Sequence, residues 1–506
     1  MAPCGAFGPL DFILFTGTFG MLYGKATFWI GTFALSVFAL FHGGHFYHVD
    51  EELHFLVATS ILEGNWAAIP TTEQAYYRGQ FTGTNSFLAM GKTGSGGRFY
   101  AKSGIGQALT VLPLVAAARL LGRVWRGSNL PAIQRLVVSF FCPIVASIAV
   151  ALLFRLIVEL DYPALAAFSA VCSLAFGTFF FAHAKFFMNH MLTAALLTAG
   201  LFCARRASYR DEARYPLLLG IAAGWIILTR NDCFMYALLI PLYWWLGAQP
   251  NSRRKARSLL LIFLGFLPLI LIQIFCNVAR FGNPFDFGYN LTDSTQASYD
   301  AFNAPYLTGF LGQLFNLQTG LIWYAAPLVV SLLGFQSLYR LHPAAAVTAA
   351  AGLFLPLSFY AKFSNWAGEI SWGPRFLLPA LPLLTVACVP VWQECFEKGR
   401  HRRFLYGTFF LGLAVQLFGV LADHNRGFVL TQGRIAANPM YGKIPYSRVW
   451  SQLQLLRQRP PDLWWFAGFS QGSRLEKILC VLFVAASVAL LVFSVRKLRA
   501  ALSGNH

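Results

Sequence analysis

The sequence predicts an all-α polytopic membrane protein with about twelve transmembrane helices, and interfacial helices and loops gathered on its outer side. Three observations predict it. Of 506 residues, 57% are hydrophobic and only 12% charged, with a mean hydropathy of +0.56, more apolar surface than one soluble core can hide. Apolar runs recur at the length of about 20 residues that a helix needs to cross ~30 Å of hydrocarbon. Lysine and arginine cluster in short loops that alternate with those runs, as cytoplasmic loops do.

The first run, 26–47, is expected to act as a signal anchor, because residues 1–25 lack a basic stretch followed by a small-residue cleavage site. The piece 104–121, interrupted by Pro113 and ending near Arg119, is expected to lie in the interface as an amphipathic helix. Further spans are expected at 134–157, 163–182, 191–204, 257–277, 321–339, 342–361, 375–393, 404–422 and 476–495. Between 216 and 247, Thr229-Arg230-Asn231-Asp232 breaks the run into two short helices.

The basic loops Arg205/Arg206/Arg210/Arg214, Arg253/Arg254/Lys255/Arg257, Lys398/Arg400/Arg402/Arg403 and Arg496/Lys497/Arg499 then share the cytoplasmic side. The outer side receives 48–133, 183–190, the 230–232 turn, 278–320, 362–374 and 423–475. Arg119, Arg123, Arg126 and Arg135 also fall outside, against the charge rule. Residues 1–422 read as one transmembrane catalytic domain. Residues 423–506 read as an outer cap loop, with Pro460-Pro461 and Trp464-Trp465-Phe466, followed by a final helix.

A net charge of +19 is explained by cytoplasmic loops meeting anionic headgroups, so no nucleic-acid partner is expected; membrane lipids are. The nine cysteines are scattered without a C-x-x-C pair and imply neither a disulfide framework nor a zinc site.

The candidate chemistry begins with His48-Val49-Asp50-Glu51-Glu52 beyond the first run. A carboxylate desolvated there would have its pKa pushed upward and serve as a general base; a hydrated helix end carrying acids is the alternative. His42, His45 and His48 recur every three residues, as metal ligands on a helix or as ordinary interfacial histidines. Gly96-Gly97-Arg98 to Lys102-Ser103-Gly104-Ile105-Gly106 reads as a glycine-rich approach to a helix N-terminus, where Lys102 or Arg98 would meet a phosphate, or as a simple turn.

The order of these segments resembles the GT-C class of integral membrane glycosyltransferases, among them protein O-mannosyltransferases and the aminoarabinose transferase acting on lipid A. His48 to Pro70 is similar to their acidic-pair loop. Phe99 to Pro113 is similar to their Lys-(Tyr/Phe)-Pro-Pro-Gly segment, with Ser103-Gly104-Ile105 where the prolines usually stand. Gly220 to Asn231, Arg280 to Tyr289, Thr319 to Pro327 and Trp366 to Pro379 continue the likeness.

The resemblance implies transfer of a sugar, with inversion, from a polyprenyl-phosphate carrier to an acceptor hydroxyl at the outer face of the inner (plasma) membrane. It implies Asp50 as base with Glu51 as second choice, and Arg375, Lys102, Arg280 and Arg230 for the donor phosphate, since arginine matches phosphate in parallel hydrogen bonds. Glu369, Trp366, Trp372 and Tyr289 are expected to contact sugar or acceptor, and Trp323 to stack on the sugar or line the lipid groove. No cofactor and no metal are expected, because His183, Lys185, Asn189 and His190 stand where some relatives carry a second acid. A polytopic transporter or flippase of lipid-linked sugars is the alternative, and a non-catalytic scaffold the third reading.

Overall fold

Apolar helices that satisfy their own backbone hydrogen bonds are the economical way to place this sequence in hydrocarbon, and the computed structural model is built almost wholly of them. It describes residues 9–69, 91–124, 130–247, 252–288, 302–368, 371–423, 426 and 447–502. The helices are α1 (Pro9–Leu40), α2 (Val49–Leu62), α3 (Gly106–Val124), α4 (Leu130–Ser139), α5 (Phe141–Val158), α6 (Ala164–Gly177), α7 (Phe180–Lys185), α8 (Asn189–Tyr209), α9 (Arg214–Thr229) and α10 (Phe234–Gly247). They continue with α11 (Ser252–Phe281), α12 (Tyr306–Phe315), α13 (Leu321–Tyr324), α14 (Ser331–Leu341), α15 (Pro343–Ala361), α16 (Leu381–Lys398), α17 (Arg402–Leu421), α18 (Arg448–Gln458), α19 (Trp464–Gln471) and α20 (Arg474–Leu502).

Six helical stretches among the described residues are long and apolar enough to cross a membrane: Pro131–Val158, Ser252–Phe281, Pro343–Ala361, Arg375–Lys398, Arg402–Leu421 and Arg474–Leu502. Shorter apolar helices occupy Gly24–Leu40, Gly106–Gly122, Ala164–Gly177 and Arg214–Thr229. The chain is a multi-pass membrane protein. Its layering follows burial, for the apolar window of Arg375–Lys398 is 94% buried whereas those of Ser252–Phe281 and Arg474–Leu502 are 22% and 17% buried. α16 is therefore central, and α11 and α20 present leucine and phenylalanine outward. α20 packs along α1, with Phe493 edge-on to Trp29 at 5.1 Å.

Several expected spans are shorter or broken. α1 ends at Leu40, so 41–48 is an irregular segment and His42, His45 and His48 share no helical face. The run 163–182 stops at Gly177 and restarts as α7. The run 321–339 is one turn of α-helix, a 3-10 segment at Ala326–Val330 begun by Pro327, and then α14. Between α2 and α3 lies a small antiparallel sheet in the order β1-β3-β2, from β1 (Ala68–Ile69), β2 (Gly91–Thr93) and β3 (Phe99–Ala101). Gly96 and Gly97, at φ of +68° and +69°, form the exposed tip of its β2–β3 hairpin, so they do not lead into α3.

Two of the arginines that broke the charge rule, Arg119 and Arg135, have acidic partners on α2 or at its C-cap. Arg135 forks onto Glu52 through Nη2 at 2.7 Å and Nε at 3.0 Å, and Arg119 donates to Glu63 at 2.6 Å. Paired arginines are held by local geometry and not by the membrane side alone.

Candidate active site

The acidic triplet opens α2, where carboxylates meet the positive end of the helix, yet its three members have different fates. His48 caps the helix by accepting the Asp50 amide on Nδ1 at 3.2 Å. Helical geometry then turns Asp50, Glu51 and Glu52 about 100° apart. Glu52 goes to Arg135. Glu51 is fully buried at 0% exposure and accepts the Phe187 amide at 2.9 Å. Burial pushes its pKa up to about 8, against the downward pull of the Phe187 and Tyr47 amides. Asp50 alone stays open, with 32% of its side chain exposed, and faces Arg375 Nη1 at 3.6 Å. This separates the two base candidates, because a sealed, protonated acid can take no proton from a group in the open site.

The expected upward shift of Asp50 is reversed. Burial does raise its pKa, but His48, Arg375 and Lys102 outweigh burial and hold the carboxyl well below its ordinary range. Since His48 Nδ1 is already occupied as the cap acceptor, Arg375 and Lys102 are the durable contributors.

Arg375 is delivered by the segment Trp366 to Pro379. Gly373, at φ +72°, turns the chain against Phe179 and Tyr324, the Arg375 amide donates back to the Gly373 carbonyl at 3.0 Å, and the 3-10 stretch Arg375–Ala380 leads into α16. The side chain is buried at 8% exposure, and its Nε and Nη1 have no hydrogen-bond partner among the described residues. A buried guanidinium left in that state is costly unless something completes it.

Lys102 follows β3 directly and is half-buried beside Gly288, whose backbone approaches it closely. The glycines after it serve packing: a Cβ on Gly104 would stand 2.4 Å from the Leu228 carbonyl oxygen, and one on Gly106 2.4 Å from Thr229 Oγ1. That contact presses the Lys102 segment onto the C-terminal end of α9, next to Arg230.

The other two expected phosphate ligands are engaged within the protein. Arg280 donates to the carbonyls of Ala101 at 3.3 Å, Ser103 at 3.2 Å and Cys276 at 3.2 Å, and to Asn277 at 3.2 Å. It braces the strand that carries Lys102. Arg230 forks onto Asp232, whose carboxylate also takes the Tyr360 hydroxyl at 2.8 Å. Its remaining nitrogen meets Asn189 and His190. Arg230 and Arg375 both stand over the Phe376 ring, at 5.7 and 5.3 Å.

The aromatic candidates lie deeper than expected. Trp372 is fully buried, edge-on to Tyr324 at 5.1 Å, and its indole donates to Gln416 at 2.9 Å, leaving no open face for a sugar. Trp366 is 4% exposed and packs on Gly312. Trp323 is exposed and donates to the Phe315 carbonyl. Tyr289 and Glu369 lie outside the described residues. The three early histidines have separate partners: His42 bonds Ser139 at 2.7 Å, His45 bonds Asp462 at 2.9 Å, and His48 is the helix cap.

Sequence reasoning gave no place in the site to two features. His183 and His54 are buried neutral histidines near the site, each brought down to a pKa of about 4 chiefly by burial. His183 Nε2 donates to the Trp372 carbonyl at 2.9 Å, which leaves Nδ1 as an acceptor. Arg448, from within the expected cap loop 423–475, is 7% exposed and lies in electrostatic range of Arg375, His183 and Tyr324. No local motif marks Arg448; only the return of the chain in space brings it here.

No protein-family model matches the chain, and no curated protein sequence matches it. The crystal structure of ArnT from Cupriavidus metallidurans bound to undecaprenyl phosphate matches 96% of this chain and 77% of its own, at TM-score 0.50 and 13% identity. The chain has the GT-C fold. The apo oligosaccharyltransferase of Archaeoglobus fulgidus shares it, at TM-score 0.50 and 11% identity over 91% of this chain and 59% of its own. Within this GT-C fold the acidic residue after α1, the basic residue after the small sheet and Arg375 before α16 converge from three distant parts of the sequence.

Proposed function

We propose that the protein is a membrane glycosyltransferase that moves a sugar from a polyprenyl-phosphate donor to an acceptor hydroxyl at the outer face of the membrane. The observation that carries this reading is the open Asp50 carboxylate 3.6 Å from Arg375 Nη1, on a buried guanidinium whose Nε and Nη1 make no hydrogen bond among the described residues: a base beside a seat for an anion. The fold, shared with ArnT, supports the donor class.

In the reaction the acceptor oxygen bonds the anomeric carbon on the face opposite the phosphate. The carbon–oxygen bond to phosphate breaks and its electron pair leaves with the phosphate, so the sugar inverts. The hydroxyl proton passes to Asp50, and the products are the glycosylated acceptor and polyprenyl phosphate. Arg375, then Lys102, meets the charge that grows on the leaving phosphate.

The depressed pKa of Asp50 has a use here. Free, the carboxylate is ionised but weakly basic because two cations hold it. A donor phosphate that neutralises Arg375 and Lys102 raises its basicity, so the base strengthens when the donor is in place. Glu51 is not the reserve base in this reading, being sealed behind Phe187. The acceptor is an unspecified glycan, lipid or protein, and the chain crosses the plasma membrane about twelve times with the 48–69 and 371–375 segments outward.

The purified protein, offered a panel of polyprenyl-phosphate sugars, is expected to release polyprenyl phosphate from at least one. Failure with every donor, together with movement of lipid-linked sugar across liposomes, would replace this reading with a transporter.

A further inference from the structure

The path of the chain between α1 and α2 is set from the far end of the sequence. The indole of Trp465 donates to the Leu40 carbonyl at 2.7 Å, and the Trp464 amide donates to the His42 carbonyl at 3.0 Å. Gly44, at φ +74°, lies so close to Trp464 that a Cβ there would stand 2.5 Å from the tryptophan Cβ. Two residues before Trp464, Asp462 takes His45 Nε2 on Oδ1 at 2.9 Å and the Tyr47 hydroxyl on Oδ2 at 2.7 Å. Hydropathy extends the first run to residue 47; these contacts hold 41–47 as an irregular segment instead.

A buried ion pair closes this grip. Lys185, the last residue of α7, is 2% exposed and has its three donors placed: on Asp462 Oδ2 at 2.8 Å, on the Asp462 carbonyl at 2.9 Å and on the Val420 carbonyl at 2.8 Å. The Asp462 amide donates to the Leu421 carbonyl at 2.7 Å, so the amide, the carbonyl and both carboxylate oxygens of one residue are engaged. A buried ion pair bonded this fully admits little drift. Its two arms end at the first turn of α2. On one, Tyr47 precedes His48, the cap that accepts the Asp50 amide. On the other, Lys185 stands two residues before Phe187, whose amide donates to Glu51. The arms touch each other, with Tyr47 edge-on to Phe186 at 4.9 Å and Phe46 stacked on Phe187 at 5.4 Å.

We infer that Asp462 is a positioning residue for the base: by holding Tyr47 and Lys185 together it fixes the first turn of α2, and with it the Asp50 carboxylate, in front of Arg375. The inference rests on the reading of Asp50 as base and goes beyond it, because it makes the segment 461–465 part of the catalytic unit and not a separate cap. Arg375 enters from another direction, through the turn at Gly373 and the 3-10 stretch before α16, and Trp372 beside that turn is held by Gln416. Loosening Asp462 therefore moves the base and leaves the seat for the donor's anion in place. Rate falls while donor affinity holds, which a loss of general stability does not produce.

The test uses the purified full chain and the donor that the polyprenyl-phosphate sugar panel identifies. It measures single-turnover release of polyprenyl phosphate, donor binding at equilibrium and thermal melting in the unmodified protein, in Tyr47→Phe, in the apolar pair Lys185→Met with Asp462→Leu, and in Asp50→Asn. Tyr47→Phe removes one hydroxyl and keeps the ring against Phe186; it is expected to slow turnover about 3- to 10-fold. The apolar pair strands no charge, so its melt should stay near that of the unmodified chain, whereas its turnover should fall about 10- to 100-fold. Donor affinity should stay within about 2-fold in both. Turnover at the unmodified rate in both, while Asp50→Asn loses it, overturns this inference alone. Donor affinity falling in step with the rate overturns it too, by placing Asp462 behind the donor seat, as does a rate that falls only where the melt falls. Normal turnover of Asp50→Asn overturns the reading of the base and this inference together, and so does the absence of turnover with every donor.

Discussion

Replacing Asp50 by asparagine separates chemistry from binding more sharply than any other single change here. The amide keeps the shape and the position on α2 and removes the base, a loss worth about 10²- to 10⁴-fold in turnover. It also removes the negative charge 3.6 Å from Arg375. At that separation Coulomb's law gives between about 1 and 5 kcal/mol for effective dielectrics of about 80 and 20. With 32% of the Asp50 side chain exposed, the lower end applies, about 1 kcal/mol. A donor phosphate arriving at Arg375 no longer meets that competitor, so donor affinity should hold or tighten by up to about 5-fold.

The assay is release of polyprenyl phosphate under single turnover, alongside donor binding at equilibrium. In the unmodified protein the acidic limb of the donor-bound rate profile should lie above that of the free enzyme, because Asp50 is held low by Arg375 and Lys102 only until phosphate neutralises them. Turnover of Asp50→Asn within a few-fold of the unmodified chain would place the base elsewhere. Parallel loss of donor binding would mean that the carboxylate serves to orient Arg375.

Other outcomes follow from the same geometry. Glu51, buried and raised from its ordinary 4.5 to about 8, binds more protons folded than unfolded between those values. Stability should therefore be full below the lower value and fall as pH rises through the window, by up to about 1.4 kcal/mol per pH unit; Glu51→Gln should flatten melting between acidic and mildly alkaline pH while keeping turnover, and an unchanged slope refutes the assignment. Arg135→Ala removes the guanidinium that Glu52, whose side chain is 9% exposed, holds in a fork, and should cost about 3 kcal/mol in thermal unfolding, most of it recovered in Arg135→Ala with Glu52→Gln; a single variant melting like the unmodified protein would deny the pair its role between α2 and α4. Gly106→Val must push a side chain into Thr229 and should cost about 1–3 kcal/mol with weaker donor binding through displaced Lys102, whereas a normal melt and normal binding would show the segment free to move. Turnover is expected to survive chelators, since His42, His45 and His48 are committed to Ser139, Asp462 and the α2 cap; loss restored by a divalent ion would overturn that.

The sequence by itself determined the membrane class and put forward Asp50 and Arg375 as candidates, because these rest on composition, on the end of an apolar run and on a local Trp366 to Pro379 pattern. Hydrophobicity is summed along the chain, so it is legible without a fold. Helix ends were less legible. Apolar residues continue past Leu40 and through Pro327, and hydropathy does not register the backbone breaks there. Tertiary structure alone decided which member of Asp50-Glu51-Glu52 is open, since three adjacent acids differ only in what packs across from each: Arg375, the Phe187 amide and Arg135. It decided likewise that Arg280 and Arg230 are spent on carbonyls and on Asp232, that Trp372 is core, and that Arg448 returns beside Arg375. The physical reason is common to all of these. A charge or a polar ring is defined by its partners, and those partners lie tens to hundreds of residues away, joined by packing that no local pattern encodes.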